Sequence, residues 1–493
     1  MNSTVSLIAV LIVSVATVTI AINGLRLSRT TGDFYVASRT VPPWWNASAI
    51  GGEYLSAASF LGIAGLIVVS GQDGLWFPIG YTAGYLMLLL FVAAPLRRSR
   101  AYTLPDFAQI RFGSMPLRKL TSFLVIVICW LYIVPQLHGA ALTLGISTGL
   151  PGWLGAVLVM GIVCMTVLAG GMRSITFVQA FQYWLKLAAL AIPTVFMLLH
   201  LDLNEQSATL GGAIFDVEAQ QTTAKGLYYN ISLLVALLFG TLGLPHVLVR
   251  FYTNPDGPSA RKTTAIVLGL LAFFYLFPTM LGILGRAYTP ELANSGNADA
   301  TVLLLPARII GGTAGDALTA IIVGGAFAAF LSTSSGLVVS LAGAISQDLF
   351  QGTVRGFRIA TVMATAVPLL LALGTNSFAL AGAIGSVFAF TASTICPLLL
   401  LGIWWRGLTA TGAIAGLIAG ALSCGSALVL AAVLPNTQGS LHDIASQPAA
   451  WSVPLAFLVM IGVSLATKDR IPSRVDAVLA RLHVPEQSRD LNS

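Results

Sequence analysis

The sequence predicts an all-α polytopic membrane protein. Of the 493 residues, 56% are hydrophobic and only 9% are charged, and the mean hydropathy is +0.87. Roughly a quarter of the residues of a soluble globular protein are charged. Apolar runs of about 20 residues recur along the chain, and each is long enough to cross roughly 30 Å of hydrocarbon as a helix. The sequence thus predicts helices embedded in a lipid bilayer, without a soluble domain of useful size.

The apolar runs predict about thirteen transmembrane helices in one domain over residues 1–467, followed by a short tail over 468–493. The predicted spans are 4–24, 45–70, 75–96, 119–146, 152–171, 177–199, 228–249, 263–286, 317–346, 359–375, 378–404, 409–435 and 451–467. The first run lacks a preceding basic region and a small-residue cleavage site, so we interpret it as a retained span and not as a removable signal.

The four cysteines lie within apolar segments, where packing is their expected role. They are Cys129, Cys164, Cys396 and Cys424. Their positions indicate neither disulfides nor a metal site.

Lysine and arginine are distributed unevenly between the two sides of the predicted bundle. Most of the 25 Lys and Arg residues fall in the loops after odd-numbered spans and in the tail. Because cytoplasmic loops carry the excess of these residues, the N-terminus is predicted outside and the tail in the cytoplasm, with the protein in the cell membrane. The net charge of +7 then follows from topology, and no nucleic-acid partner is required.

The two longest loops on the predicted outer side cover residues 200–227 and 287–316, and both carry acidic residues. These are Asp202, Glu205, Asp216, Glu218, Glu291, Asp299 and Asp316. A solvated face is the simpler interpretation, and a vestibule that collects cations is the alternative. Since neither loop is large, binding is expected among the helices.

Two spans carry helix breakers and polar residues near their middle. The second span contains Gly51, Gly52, Glu53, Ser56 and Ser59, and the seventh contains Gly240, Thr241, Gly243 and Pro245. Because Pro245 removes a backbone donor and clashes with the preceding turn, the seventh span should open around residues 240–244. Close helix packing at the glycines and a simple kink at the proline are the alternative.

The two interrupted spans are five apart, which predicts an internal repeat. Spans 2–6, about residues 45–199, and spans 7–11, about residues 228–404, then form two five-helix units of opposite orientation. Each unit begins with a broken helix. This arrangement is expected of secondary transporters with inverted repeats, in which half-helix ends near the bilayer midplane bind substrate and ions.

Four segments carry the motifs of a known family. They are GDFYVASRTVPPWWNASAIGGEYLSAASFLG, GGMRSITFVQAFQ, FGTLGLPHVLVRF and AAFLSTSSGLVVSLAGAISQDLF. The second is similar to a family signature, with Phe177 where tryptophan is usual and Gln179 where aspartate is usual. From about residue 30 to 430 the chain resembles the sodium:solute symporter family, most closely its cation/acetate symporter branch. The resemblance implies a LeuT-like fold with inverted five-helix repeats.

The resemblance also implies a sodium site between the first broken helix and span 9. Carried over by motif, Ser332 and Thr333 give hydroxyl ligands, and Gly52, Leu55 and Ala329 give backbone carbonyls. Hard oxygen ligands suit Na⁺ and avoid burying a second full charge. Ala329, Ser332 and Thr333 share one helical face. A packing seam in which the hydroxyls bond back to carbonyls is the alternative.

The branch implies a short monocarboxylate as substrate, of the acetate, propionate, pyruvate or glycolate class. Its carboxylate could bind N–H groups freed at residues 51–54 or 239–241. The candidate binding residues are Gly51, Glu53, Tyr54, Ser56, Tyr132, Gln136, Phe239, Gly240 and Thr241. For Tyr132 and Gln136, helix packing is the alternative role.

Glu53 complicates this assignment, because a carboxylate beside an anion site would repel the substrate. It should be protonated, paired or turned toward the cation. Lys186 is the one intramembrane base that the sequence indicates, and it either pairs with Glu53 or extends to an interface. His138 either serves a proton pathway or packs as a hydrogen-bonded group. The predicted coupling ion is Na⁺, with H⁺ as the alternative, and no other cofactor is expected.

Other functions compete with monocarboxylate symport. A zwitterion such as proline would fit the same fold, with Glu53 as its cation-binding partner. A sensor would need a signalling domain larger than the tail over residues 468–493. An enzyme is disfavoured, because the sequence has no HExxH and no GxxxxGK[ST] motif for metalloprotease or ATP-driven chemistry.

Overall fold

The computed structural model of the chain describes residues 2–25, 31–201, 224–375, 379–433 and 440–486. Within these ranges the regular structure is entirely helical. The α-helices are α1 (Ser3–Leu25), α2 (Thr31–Val36), α3 (Pro43–Tyr54), α4 (Ile63–Ser70), α5 (Trp76–Phe91), α6 (Ala93–Arg98), α7 (Leu104–Phe112), α8 (Met115–Thr148), α9 (Trp153–His200), α10 (Ala224–Gly243), α11 (Pro245–Phe251), α12 (Gly257–Tyr288), α13 (Thr301–Ile309), α14 (Gly312–Leu349), α15 (Val354–Gly374), α16 (Leu380–Ser393), α17 (Ile395–Trp404), α18 (Ala410–Val433), α19 (Ser440–Ser446), α20 (Ala449–Ala466) and α21 (Val475–His483).

Short helical turns complete the regular structure. They are a π-helical turn, Ala58–Gly62, and 3₁₀ turns at Ala37–Arg39, Gly71–Leu75, Pro290–Asn294, Ala298–Ala300 and Lys468–Arg470. Of the predicted acidic outer residues, Asp202, Glu205, Asp216 and Glu218 lie outside the described ranges.

The predicted count of thirteen spans is not confirmed. Among the described residues, 11 helices are long and apolar enough to cross a membrane. Two of these 11, Ala58–Phe91 and Trp153–His200, each cover two predicted spans. The second contains a non-helical residue, Gly171, at φ 55° and ψ −148°. Since 48 residues of continuous helix would extend about 70 Å, this helix is too long for one straight crossing.

The first broken helix opens after its glycine pair. Gly51 and Gly52 are helical residues of α3, and the helix ends at Tyr54 with Leu55 at ψ 84°. A Cβ atom at Gly52 would overlap the backbone carbonyl of Gln179 in α9. The glycines therefore permit close packing of α3 on α9, which was the alternative interpretation, and the break lies three residues further on.

The second broken helix opens where Pro245 predicts. Helix α10 ends at Gly243, Leu244 adopts φ −64° and ψ 114°, and α11 starts at Pro245. Proline suits the first helical position because its missing N–H is not needed there. Of the predicted opening at residues 240–244, the last residue, Leu244, is the one that leaves the helix.

The bundle places both broken helices against long buried helices. Helix α14 packs along α9 and α8, and α3 packs on α9 and contacts α14. Helix α10 packs on α5 and α16, and α11 contacts α14 and α3. The two helix breaks thus face a common centre between the repeats.

Contacts between loops support the predicted grouping of loops on two faces. On the face predicted to be cytoplasmic, Arg173 pairs with Asp33 at 2.7 Å and Arg118 with Asp348 at 2.8 Å. These four residues come from loops that follow odd-numbered predicted spans. Which face is cytoplasmic stays a prediction from the charge bias.

The opposite face has its own contacts. The Asn230 amide donates to Asp73 Oδ1 at 3.3 Å, and the Leu380 N–H donates to Asp299 Oδ2 at 2.9 Å. All four residues lie in loops or at span ends that the sequence assigns to the outer side.

The tail helix α21 packs on α6, α7 and α17. Just beyond it, Glu486 pairs with Arg98 at 3.3 Å and accepts the N–H of Gly257 at 3.1 Å. His483 lies 2.9 Å from the carbonyl oxygen of Ile403. The tail therefore contacts segments of both repeats.

Candidate functional site

The end of α3 provides carbonyl oxygens at the centre of the bundle. The last carbonyls of a helix lack intrahelical partners and carry the negative end of the helix dipole, so they favour a cation. The Lys186 ammonium occupies this position. It donates to the carbonyl oxygen of Gly52, to that of Leu55 at 2.8 Å, and to Ser332 Oγ at 3.0 Å. An ammonium has three N–H donors, and each has an acceptor here.

The two other predicted sodium ligands lie beside the same centre. Ser332 Oγ donates to the Ala329 carbonyl at 3.0 Å, and Thr333 Oγ1 donates to the Glu53 carbonyl at 2.6 Å. All five predicted ligand residues are fully or almost fully buried. The structure thus brings them together, with a lysine side chain among them.

Glu53 pairs with an arginine and not with Lys186. Its Oε2 lies 2.6 Å from Arg250 Nε, and both side chains are 1% exposed. The predicted Glu53–Lys186 pair is wrong, and so is the alternative that Lys186 extends to an interface, because Lys186 is completely buried. Glu53 was expected to be protonated, paired or turned toward the cation, and the structure shows it paired.

Sequence reasoning missed Arg250. The predicted span 228–249 leaves it in the following loop, but α11 continues through it and buries it completely. Its position five residues after Pro245, on the same short helix, was the available signal. On a half-helix of seven residues, the arginine one position before the end carries its side chain back toward the break.

Gln179 connects this ion pair to α14. Its Oε1 accepts from Arg250, and its Nε2 donates to the Ser332 carbonyl at 2.8 Å. Arg250 Nη1 also donates to Thr176 Oγ1 at 2.8 Å. Aspartate, which is usual at position 179 in the resembled family, can only accept when ionised, whereas the amide both accepts and donates. The departure from the family pattern therefore fits the network.

Aromatic rings pack together next to the first break. The Tyr54 ring lies 5.8 Å from that of Tyr81 and 4.5 Å from that of Tyr85. Phe388 of α16 lies 5.1 Å from Tyr81 and 6.1 Å from Tyr132. We call these five residues the aromatic cluster.

Several buried donors around this cluster have no hydrogen-bond partner among the described residues. Gln136 accepts the Ala57 N–H at 2.9 Å, but its Nε2 is unpartnered. Both ring nitrogens of His246 are unpartnered, and this ring lies 5.1 Å from Tyr132. The hydroxyls of Tyr81 and Tyr85 are also unpartnered. Buried polar groups are normally hydrogen-bonded, so such a group of orphaned atoms calls for an explanation.

The predicted substrate residues fall into two sets. Tyr54, Ser56, Tyr132, Gly240 and Thr241 lie at the aromatic cluster or directly against it, and Gln136 follows Tyr132 by one helical turn on α8. Gly51 instead packs on the Tyr183 ring, Glu53 is held by Arg250, and Phe239 packs on Phe457 and is partly exposed.

The prediction of free N–H groups at residues 51–54 and 239–241 is wrong. Residues 51–54 and 239–241 lie inside α3 and α10, so their N–H groups belong to helical turns. The breaks follow at Leu55 and Leu244.

His138 is hydrogen-bonded to the Ala372 carbonyl at 3.2 Å, as expected for a packing histidine.

A helical bundle in which two interrupted helices meet at a buried polar centre defines the class of secondary transporters with inverted repeats. Comparison with known proteins agrees. Residues 34–420 match the sodium:solute symporter family. The chain is 32% identical to an uncharacterized symporter, YwcA, of Bacillus subtilis, with 96% of each chain covered. It is 30% identical to a monocarboxylic acid transporter of Corynebacterium glutamicum, covering 97% of this chain and 94% of the relative.

A solved structure shows the same fold. A Na⁺-coupled sialic acid symporter in a substrate-bound outward-open state superimposes with a TM-score of 0.74 at 15% identity, covering 94% of this chain and 98% of that one. The chain belongs to the sodium:solute symporter family. It is a multi-span membrane symporter with the LeuT-like fold that the sequence predicted.

Proposed function

We propose that the protein imports short-chain monocarboxylates, of the acetate, propionate, pyruvate or glycolate class, across the cell membrane in symport with a cation. The set of unpartnered buried donors at the aromatic cluster carries this proposal. Support also comes from the relative in Corynebacterium glutamicum, which is named as a monocarboxylic acid transporter.

The chemistry of the unpartnered atoms favours a carboxylate. An amide N–H, an imidazole N–H and tyrosine hydroxyls all donate, and a carboxylate accepts about four hydrogen bonds. The surrounding rings are apolar except for these atoms, so a short hydrocarbon tail would be bound by packing. Because hydrogen bonds to a charged group are the strong ones, a few of them suffice to hold a small anion.

The state of Glu53 disfavours a zwitterionic substrate such as proline. Its carboxylate would have to bind the substrate ammonium, but Arg250 Nε lies 2.6 Å from its Oε2. Its Oε1 has no hydrogen-bond partner among the described residues but packs so closely on Gly336 of α14 that a Cβ atom there would overlap it. Drawing Glu53 away would leave a buried arginine unpaired, which is costly. An anionic substrate needs no such rearrangement.

The coupling ion is the second part of the proposal. The family implies Na⁺, and the sequence left H⁺ as the alternative. One observation favours the alternative: the Lys186 ammonium holds three of the oxygen atoms that the family assigns to Na⁺.

The direct test is uptake of labelled acetate into proteoliposomes that contain the purified protein. An inward Na⁺ gradient and an inward H⁺ gradient are imposed in parallel. Accumulation with either gradient supports monocarboxylate symport and identifies the driving ion. If proline accumulates and acetate does not, the substrate proposal is wrong.

A glutamine substitution tests the donor set. Gln136→Leu should raise the KM for acetate by about tenfold to a hundredfold, since a hydrogen bond to a charged group contributes ~1.5–3 kcal/mol. Gln182→Leu is the matched control, because Gln182 is equally buried but donates to Thr17 of α1. If both variants change KM equally, Gln136 has no specific role in binding.

A further inference from the structure

The oxygen atoms expected to bind sodium are bound to a side chain of the protein itself. Lys186 Nζ contacts the carbonyl oxygens of Gly52 and Leu55 and the hydroxyl of Ser332. We propose that Lys186 is the resident cation of this site, so that the chain transports its solute without a sodium ion there. This inference rests on the proposed symport function and deepens it, because it excludes Na⁺ as the coupling ion at the Gly52, Leu55 and Ser332 oxygens.

The geometry leaves no role there for a sodium ion while Lys186 is in place. The three contacts use all three N–H donors of the ammonium, and they occupy three of the five ligands that the resemblance assigns to Na⁺. Two of the acceptors are the carbonyls at the open end of α3, where the helix dipole favours positive charge. A Na⁺ at the same oxygens would stand within contact distance of a second positive charge.

Among the described residues, no unpaired carboxylate group stands beside the site to compensate a second cation. The carboxylate of Glu53 is already paired with Arg250. Helix α14 contributes only hydroxyls and carbonyls, from Ala329, Ser332 and Thr333. One resident positive charge therefore matches the site, whereas two would be unbalanced in a buried region.

Helix packing fixes the lysine in this position. Gly52 allows the backbone of α3 to approach α9 at Gln179, and Lys186 lies seven residues later on α9, two helical turns along the same face. The side chain then reaches the break that follows Leu55. Lys186 thus reaches the site because a close helix–helix contact precedes it.

The test measures sodium binding by the purified full-length protein, which needs no knowledge of the solute. Wild-type protein should show no ²²Na⁺ binding that depends on Ser332, so Ser332→Ala should leave the amount of bound ²²Na⁺ unchanged. Any difference between its melting midpoints in NaCl and in choline chloride of equal concentration should be unchanged by Ser332→Ala. Lys186→Ala opens the site, so its midpoint should rise in NaCl relative to choline, and adding Ser332→Ala should remove that rise. Lys262→Ala, which removes an exposed lysine of α12, is the control and should behave as wild type.

Saturable ²²Na⁺ binding to the wild type that is lost in Ser332→Ala would overturn the proposal. Binding that survives Ser332→Ala would put Na⁺ at another site and uphold it. If Lys186→Ala does not fold, the wild-type measurement still decides. Failure of acetate uptake would reject the substrate and leave this result unaffected, so the two proposals can fail separately.

Discussion

Three charged side chains lie buried at the centre of the bundle, and they are compensated in two different ways. Glu53 and Arg250 neutralise each other, whereas Lys186 is held by neutral oxygens at a helix end. A buried ion pair contributes little net stability compared with apolar packing, but removing one partner costs about 3–5 kcal/mol. The pair therefore makes both residues sensitive to single substitution.

The pair predicts a characteristic pattern of stability. Arg250→Met should lower the melting midpoint strongly, because it leaves Glu53 buried without its partner. The double variant Glu53→Gln, Arg250→Met should recover much of the loss. Thermal unfolding of the purified variants in detergent measures both effects. Arg474→Met, at an exposed position, is the control. A double variant less stable than Arg250→Met alone would contradict this account.

Individual residues were predictable where a motif or a helical spacing identifies them. Ala329, Ser332 and Thr333 lie on one face of α14, where Thr333 donates to the Glu53 carbonyl of α3 and Ser332 shares Lys186 with the Gly52 and Leu55 carbonyls. The partner of those oxygens was not predictable, because the reach of Lys186 depends on the separation between two helices. Arg250 was missed because a basic residue at the end of an apolar run is normally a loop residue.

At the scale of elements, the contact between α3 and α9 positions the site. Gly52 is needed for close approach and not for a break, since α3 continues to Tyr54. A glycine in a sequence is compatible with either role, so the exact position of the break could not be predicted from it. Pro245 is less ambiguous, because it cannot continue a preceding helix without losing a hydrogen bond.

This contact predicts the effect of one added methyl group. Gly52→Ala would place a Cβ atom against the Gln179 carbonyl, so it should separate α3 from α9, lower the melting midpoint and reduce uptake at least tenfold. Gly161→Ala on α9 is the matched control, because a Cβ there meets nothing within 4 Å. Alanine is up to ~1 kcal/mol better than glycine in a helix, so the control should be neutral or stabilising. Equal behaviour of the two variants would exclude the packing role.

At the scale of the molecule, the candidate cation position joins the two repeats. Lys186 belongs to α9 in the first repeat, and Ser332 belongs to α14 in the second. The Glu53–Arg250 pair likewise links α3 to α11. Alternating access in this fold class comes from rocking of one unit against the other around a central site. Both sets of contacts therefore lie where the two units would move.

The number of spans was the least predictable property at this scale. Hydropathy locates apolar runs, but it cannot tell whether Gly71 or Gly171 ends a helix or bends it. Both adopt positive φ, at 57° and 55°, which L side chains rarely do. The assignment of loops to two faces was more robust, because it rests on many charges and agrees with the loop contacts.

The predicted orientation can be measured by labelling. In a background without the four native cysteines, Arg474→Cys should react with an impermeant maleimide only from the cytoplasmic side. Ser295→Cys, exposed on the opposite face, should react only from outside and is the matched control. The reverse pattern would invert the topology, although it would leave the fold unchanged.

The packing of the tail has a practical consequence for handling the protein. Glu486 holds Arg98 and the start of α12, and α21 covers part of α6, α7 and α17. A purification tag or fluorescent fusion placed upstream of residue 486 would replace these contacts. A protease that cuts between α20 and α21 would separate from the bundle a helix that contacts segments of both repeats. Expression vectors for this transporter should therefore attach their fusions downstream of Glu486.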